Sequence, residues 1–312
     1  MTNLLITGGA GFIGSNLALA AGRATGVDNI VVLDDLSTGS VKALDSIDVE
    51  FQQGSVLDPK ALDRALDRCD AVIHLAAVPS VPRSIKDPMT SHHANATGTL
   101  ELLEACRRHG VQQVVAASSS SVYGLNPALP KHEREWVRPM SPYAVSKLAT
   151  EQYLLAYQDS FGLSTLAFRF FNVYGPGQTA GHAYAAVVPV FIDALLDDRP
   201  LPVNGDGTQS RDFTYIGTVC EVLLDAALGR VSHPEPVNLA FGTRTNLLDL
   251  IERLEVLTGR TARRDFRVAR PGDVPHSQAD NRSLRGLFPT IEPVSLDEGL
   301  RRTIEWFGSL QP

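Results

Sequence analysis

Cysteine is scarce in this 312-residue chain, and the three that occur, Cys69, Cys106 and Cys220, lie far apart. No two of them have the close spacing of a metal-binding motif, and an odd number does not suggest a disulfide framework. We therefore expect free thiols in a reducing compartment, which indicates a cytoplasmic protein, and we expect no metal site.

Long runs of one kind of residue are also missing. Lysine and arginine form no extended run and the net charge is −7, which argues against a nucleic-acid-binding protein. No apolar stretch approaches the roughly 18 residues of a membrane span. The N-terminus enters a β-branched segment at once, so we expect a first strand there and not a signal peptide. Nucleic acid and membrane are therefore not expected as partners.

What the chain does contain is a regular alternation of short β-branched runs with helical patterns, which predicts an α/β protein. The expected architecture is a Rossmann-type doubly wound parallel sheet with a smaller mixed α/β C-terminal substrate lobe. The predicted strands are 4–7, 30–33, 49–52, 71–75, 114–118, 163–169 and 237–240. The predicted helices are 12–23, 59–68, 90–108, 142–161, 187–196, 212–230, 247–258 and 296–307. We assign 1–174 and 212–242 to the nucleotide-binding domain, and 175–211 and 243–312 to the substrate lobe.

A glycine-rich loop joins the first predicted strand to the first helix. Gly8, Gly11 and Gly14 have the spacing G-x-x-G-x-x-G, which lets the backbone approach a pyrophosphate at the positive end of a helix. Asp34 stands 20 residues after Gly14, at the end of the second predicted strand. A carboxylate there accepts hydrogen bonds from ribose hydroxyls and repels a 2′-phosphate, whereas a simple turn residue is the alternative. The pattern predicts bound NAD rather than NADP.

A tyrosine and a lysine occupy positions i and i+4 of a predicted helix, at Tyr143 and Lys147. Residues with this spacing share one helix face, so the ammonium can lie beside the phenol. A neighbouring cation favours the phenolate and lowers a pKa that is otherwise about 10. We therefore expect Tyr143 to be a general base that works near neutral pH.

Four consecutive serines, 118–121, follow the fifth predicted strand. Hydroxyl groups at the end of a central strand face the crevice in which such sheets bind ligands. One of them can hydrogen-bond a sugar hydroxyl and relay its proton to Tyr143. The alternative is that the run is only a polar loop.

These features belong to a longer series of motifs that covers nearly the whole chain. In chain order they are TGGAGFIGS (7–15), LDDLSTG (33–39), HLAA (74–77), SVPRS (80–84), SSSSVYG (118–124), SPYAVSK (141–147), RFFNVYGP (169–176), GDGTQSRDFTYI (205–216) and RPGDVPHSQAD (270–280). With them the chain resembles the extended short-chain dehydrogenases/reductases, in the UDP-glucose and UDP-N-acetylglucosamine 4-epimerase family.

The resemblance implies a role for each matching residue. Tyr143 would be the base, Ser119 the hydroxyl relay, and Lys147 the residue that binds the nicotinamide ribose. The implied NAD site consists of Gly8, Gly11, Phe12, Ile13, Gly14, Asp34, Asp35, Ser37, Thr38, Gly39, Ser55, Val56, Leu75, Ala76, Ala77, Ser118, Tyr143, Lys147 and Phe170. The implied UDP-sugar site consists of Ser80, Val81, Ser119, Ser120, Asn172, Ala186, Val187, Phe191, Asn204, Arg211, Arg270, Asp273 and Ser277.

Two arginines would hold the diphosphate of the substrate. Arg211 and Arg270 match the family's clamp, a task for planar, permanently charged groups. Asp273 would bind the uridine ribose, and Asn172 the sugar or the diphosphate. From the residues alone, Arg211 could instead form an ion pair with Asp212.

One position departs from the family pattern on the adenine side. The family often has an acidic residue after the glycine that follows the third strand, where this chain has Ser55. The adenine contact would then come from the Ser55 hydroxyl or the Val56 backbone.

Other positions discriminate among the reactions of the family. Ser120 and Ser121 stand where 4,6-dehydratases carry an acidic pair, so the elimination of water lacks its usual catalysts. Enzymes of UDP-glucuronate need a cation for the C6 carboxylate, because burying that charge alone is costly. Residues 170–198 contain no lysine or arginine and offer only His182.

The walls of the sugar pocket favour a wide opening. Ser277 matches the position at which glucose-only epimerases carry a bulky tyrosine, so an N-acetyl group would have room there. Ala186 on the other wall is also small. Pro79 departs from the pattern, because a glycine is usual there in the enzymes that accept N-acetyl sugars.

We therefore expect a UDP-hexose 4-epimerase with tightly bound NAD. It would act on UDP-Glc/UDP-Gal and on UDP-GlcNAc/UDP-GalNAc through a transient 4-keto sugar. The alternatives left open are a UDP-glucuronate 4-epimerase or decarboxylase, a dehydratase, and a non-catalytic NAD-binding regulator. The helices 90–108 and 142–161 would form a four-helix bundle between the subunits of a homodimer.

Overall fold

A computed structural model describes residues 1–181, 185–268 and 274–310 of the chain. The strands within these residues are β1 (Thr2–Thr7), β2 (Val27–Asp34), β3 (Glu50–Gln53), β4 (Ala71–His74), β5 (Gln113–Ser119), β6 (Ser164–Phe170), β7 (Asn172–Tyr174), β8 (Leu201–Asn204), β9 (Ser210–Arg211), β10 (Phe213–Tyr215), β11 (Val237–Leu239), β12 (Thr245–Asn246) and β13 (Arg264–Arg267). The helices are α1 (Phe12–Ala21), α2 (Pro59–Ala65), α3 (Val81–Lys86), α4 (Pro88–His92), α5 (Gly98–His109), α6 (Pro142–Phe161), α7 (Val187–Leu196), α8 (Ile216–Leu228), α9 (Leu247–Thr258), α10 (Arg282–Leu287) and α11 (Leu296–Ser309).

Seven of the strands form one parallel sheet in the order β3-β2-β1-β4-β5-β6-β11. Side chains alternate between its two faces, so Leu4 and Ile6 pack into one apolar core and Leu5 into the other. Helices α1 and α8 cover the first face, and α2, α5 and α6 cover the second. The strand order reverses between β1 and β4, which opens a crevice at the carboxyl ends of the strands. The predicted Rossmann-type architecture is confirmed.

Three small sheets join later parts of the chain. Strand β7 pairs with β10 and β8 with β13, both in parallel, while β9 pairs with β12 in antiparallel fashion. These strands have only two to four residues, too few for a periodic pattern to be recognised in the sequence. The division of the chain into a nucleotide-binding domain and a substrate lobe stays a prediction.

The seven predicted strands of the main sheet are all present, with ends that differ by at most three residues. The helices predicted over 142–161, 187–196 and 247–258 have those bounds in the structure. Buried β-branched runs and amphipathic periods were strong enough to define these elements.

The helix predicted over 90–108 is present, but a π-helical turn interrupts its α-helical hydrogen bonding. A π-helical turn, His93–Thr97, separates α4 from α5. The carbonyl of Asn95 within that turn accepts hydrogen bonds from the hydroxyls of Thr99 at 2.5 Å and Thr150 at 3.4 Å. Hydroxyl groups that compete for a helical carbonyl disturb the i to i−4 pattern, which explains the interruption.

Candidate active site

The glycine loop packs against the residues after β4 more closely than any side chain would allow. Gly8 has a φ of +71°, and a Cβ there would lie 2.7 Å from the backbone nitrogen of Ala76. A Cβ on Gly14 would lie 2.3 Å from the carbonyl oxygen of Gly8. Gly11 caps α1 without a side-chain hydrogen bond, which leaves the first-turn N–H groups for an anionic ligand. A cradle that a Cβ would fill, at the start of a helix, fits the pyrophosphate of a dinucleotide.

Asp34 connects the end of β2 to the glycine loop. One carboxylate oxygen accepts a hydrogen bond from the Ala10 N–H at 2.9 Å, and the other accepts from the Leu36 N–H at 2.8 Å. Burial raises the pKa of Asp34, and these two hydrogen bonds oppose the rise. Each oxygen keeps lone-pair capacity for a further donor, so the residue can still receive ribose hydroxyls.

The remaining predicted cofactor residues follow the carboxyl ends of β1 to β4. Gly39 approaches the loop closely, since a Cβ there would lie 2.7 Å from the backbone of Ala10. The Ser55 hydroxyl accepts a hydrogen bond from the Leu57 N–H at 3.2 Å, which bends the chain after β3. The residues brought to this edge are Phe12, Ile13, Asp35, Ser37, Thr38, Gly39, Ser55, Val56, Leu75, Ala76 and Ala77.

The end of β5 contacts two successive turns of α6. The Ser119 hydroxyl lies beside the phenol of Tyr143 and lowers its pKa. One turn further along α6, the ammonium of Lys147 donates to the carbonyl of Ala117 at 2.8 Å. Ser141 caps α6 by accepting a hydrogen bond from a first-turn N–H at 3.1 Å. Strand, cap and helix together place the three predicted catalytic residues side by side.

The neighbours of Ser119 have different environments. Ser118 is buried and donates a hydrogen bond to the Glu151 carboxylate at 2.5 Å. Ser120 begins a 3-10 turn that extends to Tyr123. Phe170 ends β6 and is the register partner of Ser119. The serine run is therefore not a uniform polar loop, because alternate residues of an ending strand face opposite sides.

Burial dominates the acidity of Tyr143. It raises the pKa of the phenol above the ordinary value of about 10, and the neighbouring Ser119 hydroxyl lowers it by less. The prediction that the lysine ammonium lowers this pKa is wrong for this structure, because Lys147 directs its ammonium to a backbone carbonyl. Burial also lowers the pKa of Lys147 to about 8. Desolvation thus shifts both groups toward their neutral forms.

Two predicted substrate residues lie at the start of α3. Ser80 caps the helix with a hydroxyl that accepts from the Arg83 N–H at 3.4 Å, and its φ is +99°. A non-glycine residue with such a φ is strained, a feature that concentrates at functional sites. Val81 follows as the first helical residue and is half-buried.

Arg211 and Ser277 are brought together by one backbone carbonyl. The Arg211 guanidinium donates to the carbonyl of Ser210 at 2.9 Å and to that of Pro275 at 3.3 Å. The N–H of Ser277 donates to the same Ser210 carbonyl at 3.0 Å, and the Ser277 side chain is buried. The chain segment near 275–277 therefore lies against β9, although the two are far apart in sequence.

The other predicted substrate residues are spread over several segments. Ala186 is exposed and caps α7, and Val187 begins that helix. Phe191 is fully buried in the larger apolar core, from which a side chain cannot reach a ligand without moving. Asn172 begins β7 and Asn204 ends β8. Arg270 and Asp273, and with them His182, lie outside the described residues.

Asp212 was considered in the sequence only as a partner of Arg211, and its position shows a larger role. Its completely buried carboxylate accepts hydrogen bonds from the N–H groups of Gly242, Thr243 and Ala279 at 3.0 to 3.2 Å. Burial raises its pKa to about 6. The carboxylate therefore holds three segments of the candidate substrate site together. In the sequence, its position next to Arg211 was the only sign of this role.

Asn95 is another buried residue that sequence reasoning missed. Its side chain accepts from the Val78 N–H at 2.7 Å and donates to the Ser146 hydroxyl at 2.9 Å. It thereby connects the segment after β4 to α6, next to Lys147. The sequence offered no periodic or motif signal for such a bridge.

The model of the NAD dependent epimerase/dehydratase family matches residues 4–240. The chain belongs to this family, whose cofactor is NAD, as predicted.

Known relatives cover the chain from end to end. A UDP-glucose 4-epimerase of Mycolicibacterium smegmatis is 36% identical over 312 residues, 97% of each chain. A UDP-N-acetylglucosamine 4-epimerase from Methanobrevibacter ruminantium, solved with UDP-N-acetylmuramic acid, superposes with a TM-score of 0.93 at 34% identity over 99% of both chains. The UDP-glucuronic acid 4-epimerase of Bacillus cereus, solved with UDP-glucuronic acid and NAD, has a TM-score of 0.89 at 32% identity, over 99% of this chain and 100% of its own. The family resemblance is confirmed, and its branch is that of UDP-sugar 4-epimerases.

Two features of the described residues bear on membranes and metal ions. None of their helices has the length and apolar character to cross a membrane. No group of three or more histidine, cysteine or acidic side chains among them is arranged to hold a metal ion.

Gly14→Ala should weaken NAD binding at least about tenfold, or by about 1.4 kcal/mol. The added methyl group would displace the Gly8 carbonyl, 2.3 Å away, and open the cradle. Isothermal titration of protein stripped of NAD measures the change. Gly22→Ala, at the other end of α1, is the control, because its Cβ would meet only an ordinary contact at 3.6 Å. Equal NAD affinity in the two variants would contradict the assignment of the loop.

Lys147→Met should flatten the pH dependence of stability. The folded pKa of about 8 lies below the ordinary value of 10.5, so the unfolded chain binds more protons between these values. Stability of the wild type should therefore rise as the pH increases from 8 to 10.5, by about 3 kcal/mol in total. Urea unfolding at several pH values measures this slope. The variant of an exposed lysine, Lys60→Met, should keep it, and a slope unchanged in Lys147→Met would refute the buried-ammonium argument.

Proposed function

We propose that this protein interconverts UDP-hexoses that differ in configuration at C4, with NAD held through the cycle. The observation that carries the proposal is the contact between the end of β5 and α6, where Ser119 meets Tyr143 and Lys147 lies one turn away. Strand β5 lies beside β4 in the sheet, and β4 lies beside β1, the strand that ends at the glycine loop. A base next to a dinucleotide site is suited to the oxidation of a secondary alcohol, in which the base takes the hydroxyl proton and the dinucleotide accepts the hydride from the carbon.

Tyr143 is the base in this proposal. Its phenolate takes the proton of the C4 hydroxyl, directly or through the Ser119 hydroxyl, and returns a proton when the 4-keto group is reduced. NAD, when bound, would supply the acceptor for the C4 hydride, and its positive nicotinamide would favour the phenolate. Lys147, buried and anchored to Ala117, would bind the nicotinamide ribose. The raised pKa of Tyr143 suits a residue that must bind the proton again in each cycle.

Inversion requires a firm grip on UDP and a loose grip on the sugar. Arg211 supports the first requirement, since its guanidinium is oriented by two backbone carbonyls and lies beside the segment that carries Ser277. Arg270 and Asp273 would complete the hold on the diphosphate and the uridine ribose. The small side chains of Ser277 and Ala186 support the second requirement, because they leave the 4-keto sugar free to present its other face.

The range of sugars that we propose includes UDP-Glc/UDP-Gal and UDP-GlcNAc/UDP-GalNAc. The relatives from M. smegmatis and M. ruminantium carry the names of these two substrate classes. Pro79, which is exposed in the segment before α3, is the departure from the pattern of enzymes that accept N-acetyl sugars.

UDP-glucuronate is the second candidate substrate. The B. cereus relative acts on UDP-glucuronic acid and is nearly as similar in structure. Residues 170–198 provide no lysine or arginine for the C6 carboxylate, which favours the neutral hexoses. Assays of purified protein on the glucose, N-acetylglucosamine and glucuronate pairs distinguish the candidates. Turnover of none of them would favour a dehydratase or a non-catalytic NAD-binding regulator.

We infer a homodimer built on α5 and α6, with four helices at the interface. Val145 on α6 is 55% exposed, and Leu100 and Tyr153 are only partly buried. We expect a partner subunit to cover these apolar side chains. Sedimentation velocity measures the assembly. The three free cysteines are compatible with the expected cytoplasmic location.

Tyr143→Phe should bind NAD normally and lose at least about a thousandfold in kcat, as expected for removal of a general base with its relay. The measurement is UDP-galactose to UDP-glucose exchange at saturating substrate, with bound NAD quantified after denaturation. Tyr153→Phe, ten residues further along the same helix, is the control and should retain activity. Near-normal turnover by Tyr143→Phe would exclude this residue as the base.

Ser277→Tyr should suppress turnover of the N-acetyl pair by about tenfold or more relative to the plain hexose pair, since a bulky ring would fill the space for the acetyl group. The ratio of kcat/KM values for the two pairs measures the effect. Ser283→Tyr, on α10, is the control. An equal loss for both pairs would mean that Ser277 does not act as a size filter.

A further inference from the structure

Among the described residues, one ion pair is buried on both sides. The side chains of Arg169 and Glu151 are 4% and 0% exposed. Their contact is bidentate, with Nε to Oε1 and NH2 to Oε2 both at 2.9 Å. Such a pair is rigid in direction as well as strong in attraction. It lies between α6 and β6, directly behind the candidate catalytic residues.

Glu151 continues the catalytic face of α6. Tyr143, Lys147 and Glu151 stand at i, i+4 and i+8, so they follow one another along one side of the helix. Each of the last three residues of β5 contacts one of these three helix residues. Ser119 lies beside Tyr143, and the Ala117 carbonyl accepts a hydrogen bond from Lys147. The Ser118 hydroxyl donates to Glu151 at 2.5 Å.

Arg169 holds the same strand end from the other side. It is the register partner of Ser118 across β5 and β6. Its guanidinium donates to the Glu133 carbonyl at 3.1 Å and lies 4.7 Å from the centre of the Tyr123 ring. Tyr123 closes the 3-10 turn that leads away from Ser119. The arginine therefore braces both the strand end and the turn that follows it.

Stability alone is a poor reason for this arrangement. Desolvation of two buried charges offsets much of their attraction, and apolar residues of similar size are often as stable. What an ion pair with two fixed hydrogen bonds adds is geometry.

We propose that Glu151 and Arg169 are positioning residues that hold Ser119 and Lys147 in the places required for proton transfer at Tyr143. The proposal rests on the proposed epimerase function. The pair would act on the chemical step and not on the binding of NAD or UDP.

The decisive variant replaces both charges by apolar residues, Glu151→Leu with Arg169→Met. It should remain folded with a similar Tm, keep NAD occupancy and KM, and lose about 10- to 100-fold in kcat, the scale of a small misplacement of reacting groups. Glu151→Gln keeps an acceptor for Ser118 but leaves the arginine charge buried without its partner. This single variant should be less stable than the double variant but more active.

That reversed order separates positioning from a purely structural role, in which activity would follow stability. The proposal is overturned if the double variant has wild-type kcat, or if kcat, KM and NAD occupancy decline together. Where Glu151→Gln does not fold, Ser118→Ala, which removes the hydroxyl link to Glu151 and leaves the ion pair, should lower kcat with little change in Tm. Thr165→Val is the matched control, because Thr165 also joins β6 to α6, at 3.1 Å from the Leu154 carbonyl. It should lower Tm and leave kcat unchanged.

A second readout requires no sugar. The ζ-carbon NMR resonance of Tyr143, identified by its loss in Tyr143→Phe, reports the surroundings of the phenol in the NAD-bound protein. It should shift in the double variant and stay in place in Thr165→Val. If the wild type turns over no UDP-hexose, the epimerase proposal fails, while this resonance still decides whether the ion pair positions the phenol. An unshifted resonance in the double variant overturns the positioning proposal.

Discussion

The contact between the carboxyl end of β5 and the first turns of α6 is the constraint on which the site depends. The backbone carbonyl of Ala117 accepts a hydrogen bond from the Lys147 ammonium at 2.8 Å, and the Ser119 hydroxyl lies beside the Tyr143 phenol. Both elements are held by burial, since the strand lies in the middle of the sheet and the helix covers one face. A parallel sheet brings the carboxyl ends of its strands to one edge, so residues at the ends of different strands lie close enough to form one site.

Desolvation is the cost of that placement. The phenol and the ammonium are both shifted toward their neutral forms, which an exposed pair would not be. The same low dielectric strengthens every interaction that a cationic nicotinamide and an anionic diphosphate make when they enter. In the candidate substrate site, the buried carboxylate of Asp212 also fixes a geometry, because its hydrogen bonds join the segments that carry Arg211 and Ser277.

The elements that the sequence predicted well are those with a strong local signal. The glycine spacing around Gly8, the capped start of α6 and the β-branched strands needed no partner to be recognised. The interruption at His93–Thr97 was missed because it depends on a hydroxyl of α6, Thr150, reaching a carbonyl from a distant segment. The direction of the Tyr143 pKa was missed for the same kind of reason, since spacing on a helix does not report how deeply the helix is buried.

The parallel sheet and the dinucleotide loop could be predicted without the structure, as could the candidates for the reaction site, because each is encoded in a periodic pattern or a short motif. The fold was needed to show which acceptor receives the Lys147 ammonium, which carboxylate accepts from Ser118, and which buried acid joins the segments of the candidate substrate site. These contacts lie between residues distant in sequence, where burial and strand register, and not local propensity, set the distances.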